Sequence, residues 1–259
     1  MRSAHTKRGE VCPMIIGASL KTYFSHARTL TWVSEVAAIL DEHPVRDRVT
    51  AFVAPQFPSI PGALERAGRL AVGAQDLAVH DAGAYTGEVS GAVLAELGCR
   101  YAEVGHAERR RLFGETESVV SAKTHAAVRN GLTPVVCVGE EDEAGIDAAI
   151  ATCAQLVRSA LADADEAGAS GAVVIAYEPL WAIGAPAPAT SEHIRSVCSG
   201  LRSRIDAADR EVSIIYGGSA GPGLLSTISD AVDGLFLGRF AHDPRAVRDI
   251  LDEVEALSG

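Results

Sequence analysis

The chain has 259 residues and a net charge of −11, with 47% hydrophobic and 22% charged residues. This composition excludes a disordered chain, and the acidic balance argues against nucleic acid or an anionic membrane as the main partner. No apolar run reaches membrane-spanning length, and the short apolar stretch that is broken by Pro13 is read as a strand rather than a signal peptide.

Short runs rich in Val, Ile and Ala alternate with longer helical stretches along the chain. The predicted strands are Met14–Gly17, Val49–Ala54, Leu70–Gly73, Tyr101–Val104, Thr133–Val138, Ala172–Tyr177, Val212–Tyr216 and Gly234–Leu237. The predicted helices are Ser25–Glu42, Ser59–Ala67, Ala92–Leu97, Glu117–Asn130, Asp142–Ala167, Ser191–Ala208, Gly223–Ser229 and Pro244–Leu257.

Alternation of this kind is typical of an α/β protein with a parallel sheet, and eight units in about 250 residues fit a closed (β/α)8 barrel. We therefore predict a single barrel domain over residues 1–259, with residues 1–12 as a flexible N-terminal extension. A doubly wound open sheet is the alternative. No GxGxxG follows the first strand, which argues against a dinucleotide-binding version of that fold.

Five polar side chains lie where predicted strands end. Lys21 follows the first strand, His106 the fourth, Ser219 the seventh and Arg239 the eighth, while Glu178 ends the sixth. Barrel enzymes carry their chemistry at the carboxyl ends of the strands. The sequence therefore predicts that these side chains share one site.

The cysteines give no sign of a metal site or a disulfide framework. They are scattered and odd in number, none forms a CxxC pair, and no histidine lies near them at zinc-ligand spacing. Buried, reduced thiols and a cytoplasmic location are expected. The five are Cys12, Cys99, Cys137, Cys153 and Cys198.

The sixth strand runs into the segment Ala176–Gly184, which reads AYEPLWAIG. A carboxylate at a buried strand end is partly shielded from water, and Pro179 ends the strand because it has no N–H group. Taken alone, Glu178 would be read as a surface residue. The whole segment, however, resembles the catalytic base and lid of triosephosphate isomerases, whose fold is the TIM barrel. The resemblance implies a mobile lid over Pro179–Thr190.

His106 lies in the segment EVGHAERR, which resembles the electrophile motif of the same family, with Ala107 where Ser is usual. In that family a neutral His polarises the carbonyl while a Glu takes the proton. The resemblance implies these roles for His106 and Glu178. It also matches Glu108 to a buried carboxylate that pairs with the active-site lysine. The alternatives are a His that only caps a helix and a Glu on a helix surface.

Lys21 lies in the segment GASLKTY, where the family usually reads Gly-Asn-Trp-Lys. Ser19 replaces the Asn and Leu20 replaces the Trp. The resemblance implies that Lys21 attracts the substrate phosphate and offsets enediolate charge. A lone lysine in another context would be a solvated surface charge.

Three segments resemble the elements that bind phosphate in this family through backbone N–H groups. Tyr216, Gly218 and Ser219 belong to a YGGS loop after the seventh strand, and Gly184 matches the lid glycine. After the eighth strand the family typically has Gly-Gly, whereas this chain has Gly238 followed by Arg239. The resemblance therefore also places a fixed cation near the substrate.

The remaining matches concern support and assembly. Cys137 lies in a VCVGE segment that resembles the family's fifth strand end and supports the base loop. Tyr85 and Thr86 belong to a loop that resembles one inserted into a neighbouring subunit, and Gln75 resembles another interface position. By resemblance we expect a homodimer, although a polar loop of this kind is also compatible with a plain surface loop.

The resemblance implies a metal-free and cofactor-independent isomerase of a small phosphorylated sugar, acting by proton transfer through an enediol. The departures at Ser19, Leu20 and Arg239, and the prolines at 186 and 188, argue against the three-carbon substrate pair. The Ser-Leu-Lys segment and Leu235–Phe240 resemble the tetrulose-phosphate isomerase branch of the family. This resemblance implies that L-erythrulose 1-phosphate is converted to D-erythrulose 4-phosphate, for which Ser19 would give room and a hydroxyl partner. The alternatives are the glycolytic pair of dihydroxyacetone phosphate and glyceraldehyde 3-phosphate, and an inactive barrel that only binds a sugar phosphate.

Overall fold

A computed structural model describes residues 13–143, 145–205 and 210–257, and its eight strands close into a parallel barrel in sequence order. The strand β1 pairs with both β2 and β8, which closes the barrel and excludes the open sheet. The predicted extension over residues 1–12 lies outside the described residues. The strands are β1 (Met14–Ser19), β2 (Val49–Ala54), β3 (Ala71–Ala74), β4 (Tyr101–Val104), β5 (Thr133–Val138), β6 (Val173–Tyr177), β7 (Val212–Tyr216) and β8 (Gly234–Leu237).

Helices follow the strands and cover the outside of the barrel. They are α1 (His26–Glu42), α2 (Ile60–Leu64), α3 (Gly91–Leu97), α4 (Ala107–Phe113), α5 (Glu117–Arg129), α6 (Ile146–Glu166), α7 (Ser191–Arg204), α8 (Leu225–Ile228) and α9 (Pro244–Ala256). Short 3-10 turns occupy Phe57–Ser59, Leu180–Ala182 and Arg239–His242.

Several predicted helix bounds were wrong. The helix α4 was not predicted, because seven residues are too few to show a helical period and its apolar residues Leu112 and Phe113 are exposed. The helix expected from Asp142 begins only at Ile146, after Gly145 at its N-cap. Residues 206–208 of the predicted seventh helix lie outside the described residues.

The alternation of each strand divides the apolar residues between two layers. The larger layer lies between the strands and the helices. A smaller cluster fills the barrel interior and includes Ile15, Phe52, Cys137, Ala176 and Phe236, with Tyr101 packed against it. Because side chains repeat their direction every second residue, Ser19, Glu103 and Glu178 continue these inward rows toward the carboxyl ends of the strands.

The prediction of buried free thiols is confirmed for the cysteines in the described part of the chain. Cys99, Cys137, Cys153 and Cys198 are free and buried, and Cys12 lies outside the described residues. Burial raises the pKa of the Cys99 thiol to about 11 and that of Cys198 to about 12, so these thiols stay protonated near neutral pH. Among the described helices, none is long and apolar enough to cross a membrane.

Candidate active site

A cleft of about 460 Å³ opens at the carboxyl ends of the strands. Side chains from β1, β4, β6, β7 and β8, or from the residues that follow them, line it together. The predicted site residues that line the cleft are Ser19, Lys21, His106, Glu108, Glu178, Gly184, Ser219, Gly238 and Arg239. Those outside its lining are Gln75, Tyr85, Thr86, Cys137, Tyr216 and Gly218.

Glu178 occupies a space that two glycines leave open. A Cβ atom on Gly217 would lie 2.5 Å from Glu178 Oε1, and a Cβ on Gly139 would lie 1.9 Å from the Glu178 carbonyl oxygen. The side chain is buried, and its Oε2 atom has no hydrogen-bond partner in the described part of the chain. A carboxylate oxygen that is shielded from water and unpaired is suited to accept a proton from a ligand.

His106 both caps α4 and faces Glu178. Its Nδ1 atom accepts a hydrogen bond from the Glu108 N–H group at 3.1 Å, and its Nε2 atom lies 3.9 Å from Glu178 Oε2. A ring nitrogen that accepts from a backbone N–H carries no proton, so the ring is assigned as the neutral tautomer with its proton on Nε2. The capping alternative is therefore correct for Nδ1, and it leaves Nε2 free to donate into the cleft.

Lys21 is held in an unusual backbone conformation. Its φ angle is 46°, a left-handed value that non-glycine residues rarely adopt. The Gln75 amide stabilises it by donating from Nε2 to the carbonyl oxygens of Lys21 at 3.0 Å and Ala54 at 2.9 Å. The Lys21 Nζ atom donates to Glu108 Oε1 at 2.8 Å. The strained turn thus directs the ammonium group into the cleft.

Lys21 and Glu108 shift each other's pKa in opposite directions. Burial alone would lower the pKa of Lys21, but the hydrogen bond and charge of Glu108, with the charge of Glu178, raise it above its usual value. Burial alone would raise the pKa of Glu108, but Lys21 holds it below its usual value. The Glu108 side chain is 41% exposed, so the expected partner of the lysine is only partly buried.

A buried carboxylate that the sequence analysis missed lies next to this group. Glu103, on β4, is 4% exposed, and its Oε2 atom accepts a hydrogen bond from the Ser19 hydroxyl at 2.8 Å. Burial raises the pKa of Glu103, and the charge of Glu178 adds to this effect. The Ser19 hydrogen bond and the charge of Lys21 act in the opposite direction without reversing it.

The lid is fastened to the ends of β7 and β8. The Ser219 hydroxyl lies 2.8 Å from the Ala182 carbonyl oxygen and 3.1 Å from that of Ala185, so it donates to the lid. The Tyr216 hydroxyl accepts from the Ala189 N–H group at 3.0 Å. Because Gly218 has no side chain, it leaves room for that hydroxyl, which would lie 2.5 Å from a Cβ atom there.

Arg239 connects the end of β8 to the middle of the lid. Its Nη2 atom donates to the Gly184 carbonyl oxygen at 2.9 Å, and both residues line the cleft. Gly184 has a φ angle of 73°, which glycine adopts without strain. The guanidinium group therefore lies at the cleft rather than turning away from it.

The base of the lid rests on a second buried carboxylate. Glu140 Oε1 accepts hydrogen bonds from the Tyr177 hydroxyl and the Trp181 indole N–H, both at 3.0 Å, and lies 3.3 Å from His193 Nε2. These contacts join the end of β5 to the residues on either side of Glu178. They fix the start of the lid relative to the barrel.

Cys137 is a buried neighbour of the carboxylates rather than a cleft residue. It lines an adjoining cavity of about 410 Å³ together with Glu178. Burial, with the charges of Glu178 and Glu103, raises the pKa of its thiol well above the usual value. A thiol that stays protonated is a poor nucleophile, so Cys137 serves packing here.

The residues expected at a subunit interface differ in their surroundings. Tyr85 is 45% exposed and stacks on His80 with ring centroids 4.1 Å apart, and Thr86 is also exposed. The Gln75 amide instead donates hydrogen bonds to two backbone carbonyls within the chain. An interface role for these residues stays a prediction.

The lowered pKa of Glu108 predicts a pH dependence of stability. A carboxyl group whose pKa is lowered by folding stabilises the fold above its ordinary pKa of 4.5, and this contribution is lost as the pH falls through the folded value. The difference in unfolding free energy between the wild type and Glu108→Gln should therefore be constant near neutral pH and shrink below about pH 4.5. Urea unfolding between pH 3 and 8 measures it, with Glu96→Gln on the exposed face of α3 as the control. A difference that does not change with pH would contradict the assignment.

Comparison with known proteins confirms the resemblance seen in the sequence. A family model described as triosephosphate isomerase matches residues 14–254. The L-erythrulose-1-phosphate isomerase of Pectobacterium atrosepticum is 51% identical over 251 residues, which cover 95% of this chain and 97% of that protein. A triosephosphate isomerase of Alkalilimnicola ehrlichii is 42% identical over 216 residues, which cover 78% and 85% of the two chains. One of Mycobacteroides abscessus is 39% identical over 245 residues, covering 89% and 92%. The chain therefore belongs to the triosephosphate isomerase family and is an isomerase.

Proposed function

We propose that this isomerase interconverts L-erythrulose 1-phosphate and D-erythrulose 4-phosphate by proton transfer through an enediol. The observation that supports the chemistry is the pair formed by Glu178 and His106, with the unpaired Glu178 Oε2 atom 3.9 Å from His106 Nε2 in one cleft. A carboxylate base beside a neutral imidazole donor is suited to abstracting a proton next to a carbonyl group.

In the proposed reaction Glu178 removes a proton from the carbon beside the carbonyl. The Nε2–H group of His106 donates to the oxygen that gains negative charge, and the Lys21 ammonium stabilises the same charge. Glu178 then returns the proton to the former carbonyl carbon. The Nε2 proton of His106 passes to the former carbonyl oxygen, and His106 takes the proton of the adjacent hydroxyl group in return, so the carbonyl group moves by one position. The carbonyl and hydroxyl groups exchange within one molecule, so the step requires no external oxidant or reductant.

The phosphate is held, in this proposal, where β7, β8 and the lid meet. Backbone N–H groups at Gly184, Gly218, Ser219 and Gly238 would donate to its oxygens, as glycine-rich turns do. Arg239 adds a charge-assisted donor. A net charge of −11 makes such local positive groups necessary for an anionic substrate. Closure of the lid then excludes water from the intermediate.

The choice of a four-carbon substrate is supported by chemistry and by similarity. Adding a hydroxymethyl group to the reacting carbon of dihydroxyacetone phosphate gives L-erythrulose 1-phosphate, and the base and phosphate anchor need not move. Ser19 is smaller than the Asn usual in the family and carries a hydroxyl. The relative at 51% identity is named L-erythrulose-1-phosphate isomerase. The alternative is the three-carbon reaction. The relatives at 39% and 42% identity are named triosephosphate isomerase.

Proton NMR in D2O tests the substrate assignment. Purified protein is incubated separately with glyceraldehyde 3-phosphate, L-erythrulose 1-phosphate and D-erythrulose 4-phosphate. We expect deuterium incorporation and interconversion of the four-carbon pair, because the proton that Glu178 carries exchanges with solvent before it returns to carbon. Efficient turnover of glyceraldehyde 3-phosphate with no reaction of the erythrulose phosphates would replace the proposal by the three-carbon reaction.

Two variants separate an enzyme from a barrel that only binds sugar phosphates. Glu178→Gln should lower kcat by about 10²–10⁴-fold, the usual contribution of a general base. It should still bind glycerol 3-phosphate, a phosphate ester that cannot isomerise, as measured by calorimetry. Arg239→Ala should weaken that binding about tenfold, because it removes a charged hydrogen bond to phosphate.

Arg245→Ala is the matched control for Arg239→Ala. Arg245 is 85% exposed, pairs with Asp243 and lies outside the cleft. It should leave both measurements unchanged. A wild type that binds the ester but shows no turnover with any of the three sugars, and is indifferent to Glu178→Gln, would instead support the inactive barrel.

We also propose a homodimer assembled through the loop that carries Tyr85 and Thr86. The supporting observations are the exposure of Tyr85 and of two large apolar side chains on α4, Leu112 at 63% and Phe113 at 68%. Burial of such groups stabilises association.

Light scattering at graded concentrations tests the assembly. The wild type should have the mass of a dimer, and Tyr85→Asp should shift it toward the monomer because a charge would be buried at the interface. Leu257→Asp, an exposed apolar position after α9, is the control and should keep the dimer mass. A monomeric wild type would refute the proposal.

A further inference from the structure

One carboxylate in the barrel has no part in the proposed chemistry. Glu103 is 4% exposed and lies in an interior otherwise filled by residues such as Phe52, Val135 and Phe236. A buried carboxylate is costly unless it is hydrogen-bonded. Its presence in an apolar interior therefore calls for a partner or a role.

The partner of Glu103 comes from a strand that does not adjoin its own. In the closed strand order β1 adjoins β2 and β8, whereas β4 adjoins β3 and β5. The hydrogen bond from Ser19 Oγ to Glu103 Oε2, at 2.8 Å, therefore crosses the interior between strands that do not pair. Backbone pairing does not impose this contact, so it depends on the two side chains.

The hydrogen bond determines whether Ser19 can donate to a ligand in the cleft or only accept from it. In this hydrogen bond the Ser19 hydroxyl donates and the Glu103 carboxylate accepts, and a serine hydroxyl has a single proton. Once that proton is directed to Glu103, the Ser19 oxygen has only lone pairs left for a ligand. An asparagine at the same position would carry two N–H donors, so the substitution changes the chemistry as well as the size of the position.

We propose that Glu103 is a positioning residue that fixes the Ser19 oxygen as an acceptor for a substrate hydroxyl group, and that this subsite selects sugar phosphates with one hydroxyl more than the three-carbon pair. The inference rests on the proposed four-carbon reaction and assigns a physical basis to its selectivity. Ser19 lines the same cleft as His106 and Glu178, which would act on the reacting carbons. The extra hydroxymethyl group is attached to one of those carbons.

The opposite proton arrangement makes a different prediction. If Glu103 carried the proton and donated it to Ser19, the Ser19 hydroxyl would turn its own proton toward the cleft. A donor there would serve the carbonyl or enediolate oxygen, which three-carbon and four-carbon substrates share. Selectivity between the two substrate lengths therefore distinguishes the two arrangements.

Steady-state kinetics with L-erythrulose 1-phosphate and glyceraldehyde 3-phosphate tests the proposal. The measured quantity is the ratio of kcat/KM for the four-carbon sugar to that for the three-carbon sugar. Ser19→Ala and Glu103→Met should each lower this ratio about tenfold, because each removes one part of the acceptor subsite. Most of the loss should be in KM for the four-carbon sugar, since the lost contact concerns binding.

Three further variants separate positioning from packing. The double variant Ser19→Ala/Glu103→Met should be no worse than Ser19→Ala, because Glu103 acts through Ser19. Glu103→Gln keeps an acceptor oxygen and should restore most of the ratio that Glu103→Met loses. Thr124→Val removes a different buried hydroxyl, which donates to the Val120 carbonyl oxygen at 2.8 Å on α5, and should leave the ratio unchanged. The double variant replaces both partners of the buried hydrogen bond by apolar groups, which can be nearly neutral for stability, so that protein should fold.

The outcomes separate this inference from the proposed function. A wild type without activity on the erythrulose phosphates refutes the four-carbon reaction, and the subsite with it, before any variant is made. A wild type that prefers the four-carbon sugar, with a ratio unchanged by Ser19→Ala and Glu103→Met, refutes the subsite alone. Equal losses for both sugars would show that Ser19 is a donor to the shared oxygen, which also overturns the proposal.

Discussion

The ammonium group of Lys21 donates to Glu108, and the charges of Glu178 and Glu103 also raise its pKa. Its positive charge is the interaction that stabilises this group of carboxylates. Burial raises the pKa of Glu103 and the charge of Glu178 adds to this effect, whereas the charge of Lys21 acts in the opposite direction. The backbone turn that brings Lys21 there is strained, and Gln75 from the end of β3 holds it. A lysine on a relaxed surface loop would not hold its positive charge in one place. The strained backbone of Lys21 is therefore part of how the cleft obtains a fixed charge.

The other end of the cleft follows a different principle, because it is built from the lid and from backbone groups. Ser219 and Tyr216 fasten the two halves of the lid from β7, and Arg239 reaches its middle from β8. The prolines at 186 and 188 have no N–H groups and cannot donate. The Tyr216 hydroxyl accepts its hydrogen bond from the N–H group of Ala189, which follows them. Opening this lid therefore breaks a small set of identifiable hydrogen bonds, while a bound phosphate would compete with the Gly184 carbonyl for the Arg239 guanidinium.

The strands were predictable because buried parallel strands are short apolar runs between polar stretches, and their order of closure follows from right-handed β/α alternation. The helix α4 was not predictable, because its exposed Leu112 and Phe113 do not form an amphipathic pattern. Glu103 was missed although a signal existed: a charged residue two positions from Tyr101 on a strand shares its inward direction, but a pattern cannot tell which side of a strand is the barrel interior. Gln75 was expected at an interface, and only the folded chain shows that its amide holds the Lys21 turn.

The departures from the family pattern divide into those that reach the cleft and those that do not. Leu20 is 1% exposed and belongs to the layer between strands and helices, so the loss of a Trp there concerns packing rather than the ligand. Ser19 and Arg239, by contrast, line the cleft together with Lys21, His106 and Glu178. The groups to which the proton transfer is assigned are thus retained, while groups that would contact the rest of the substrate differ. In the proposed function, a change confined to recognition alters which sugar phosphate reacts and leaves the type of reaction the same. The Ser19–Glu103 hydrogen bond is the contact to which we assign that difference.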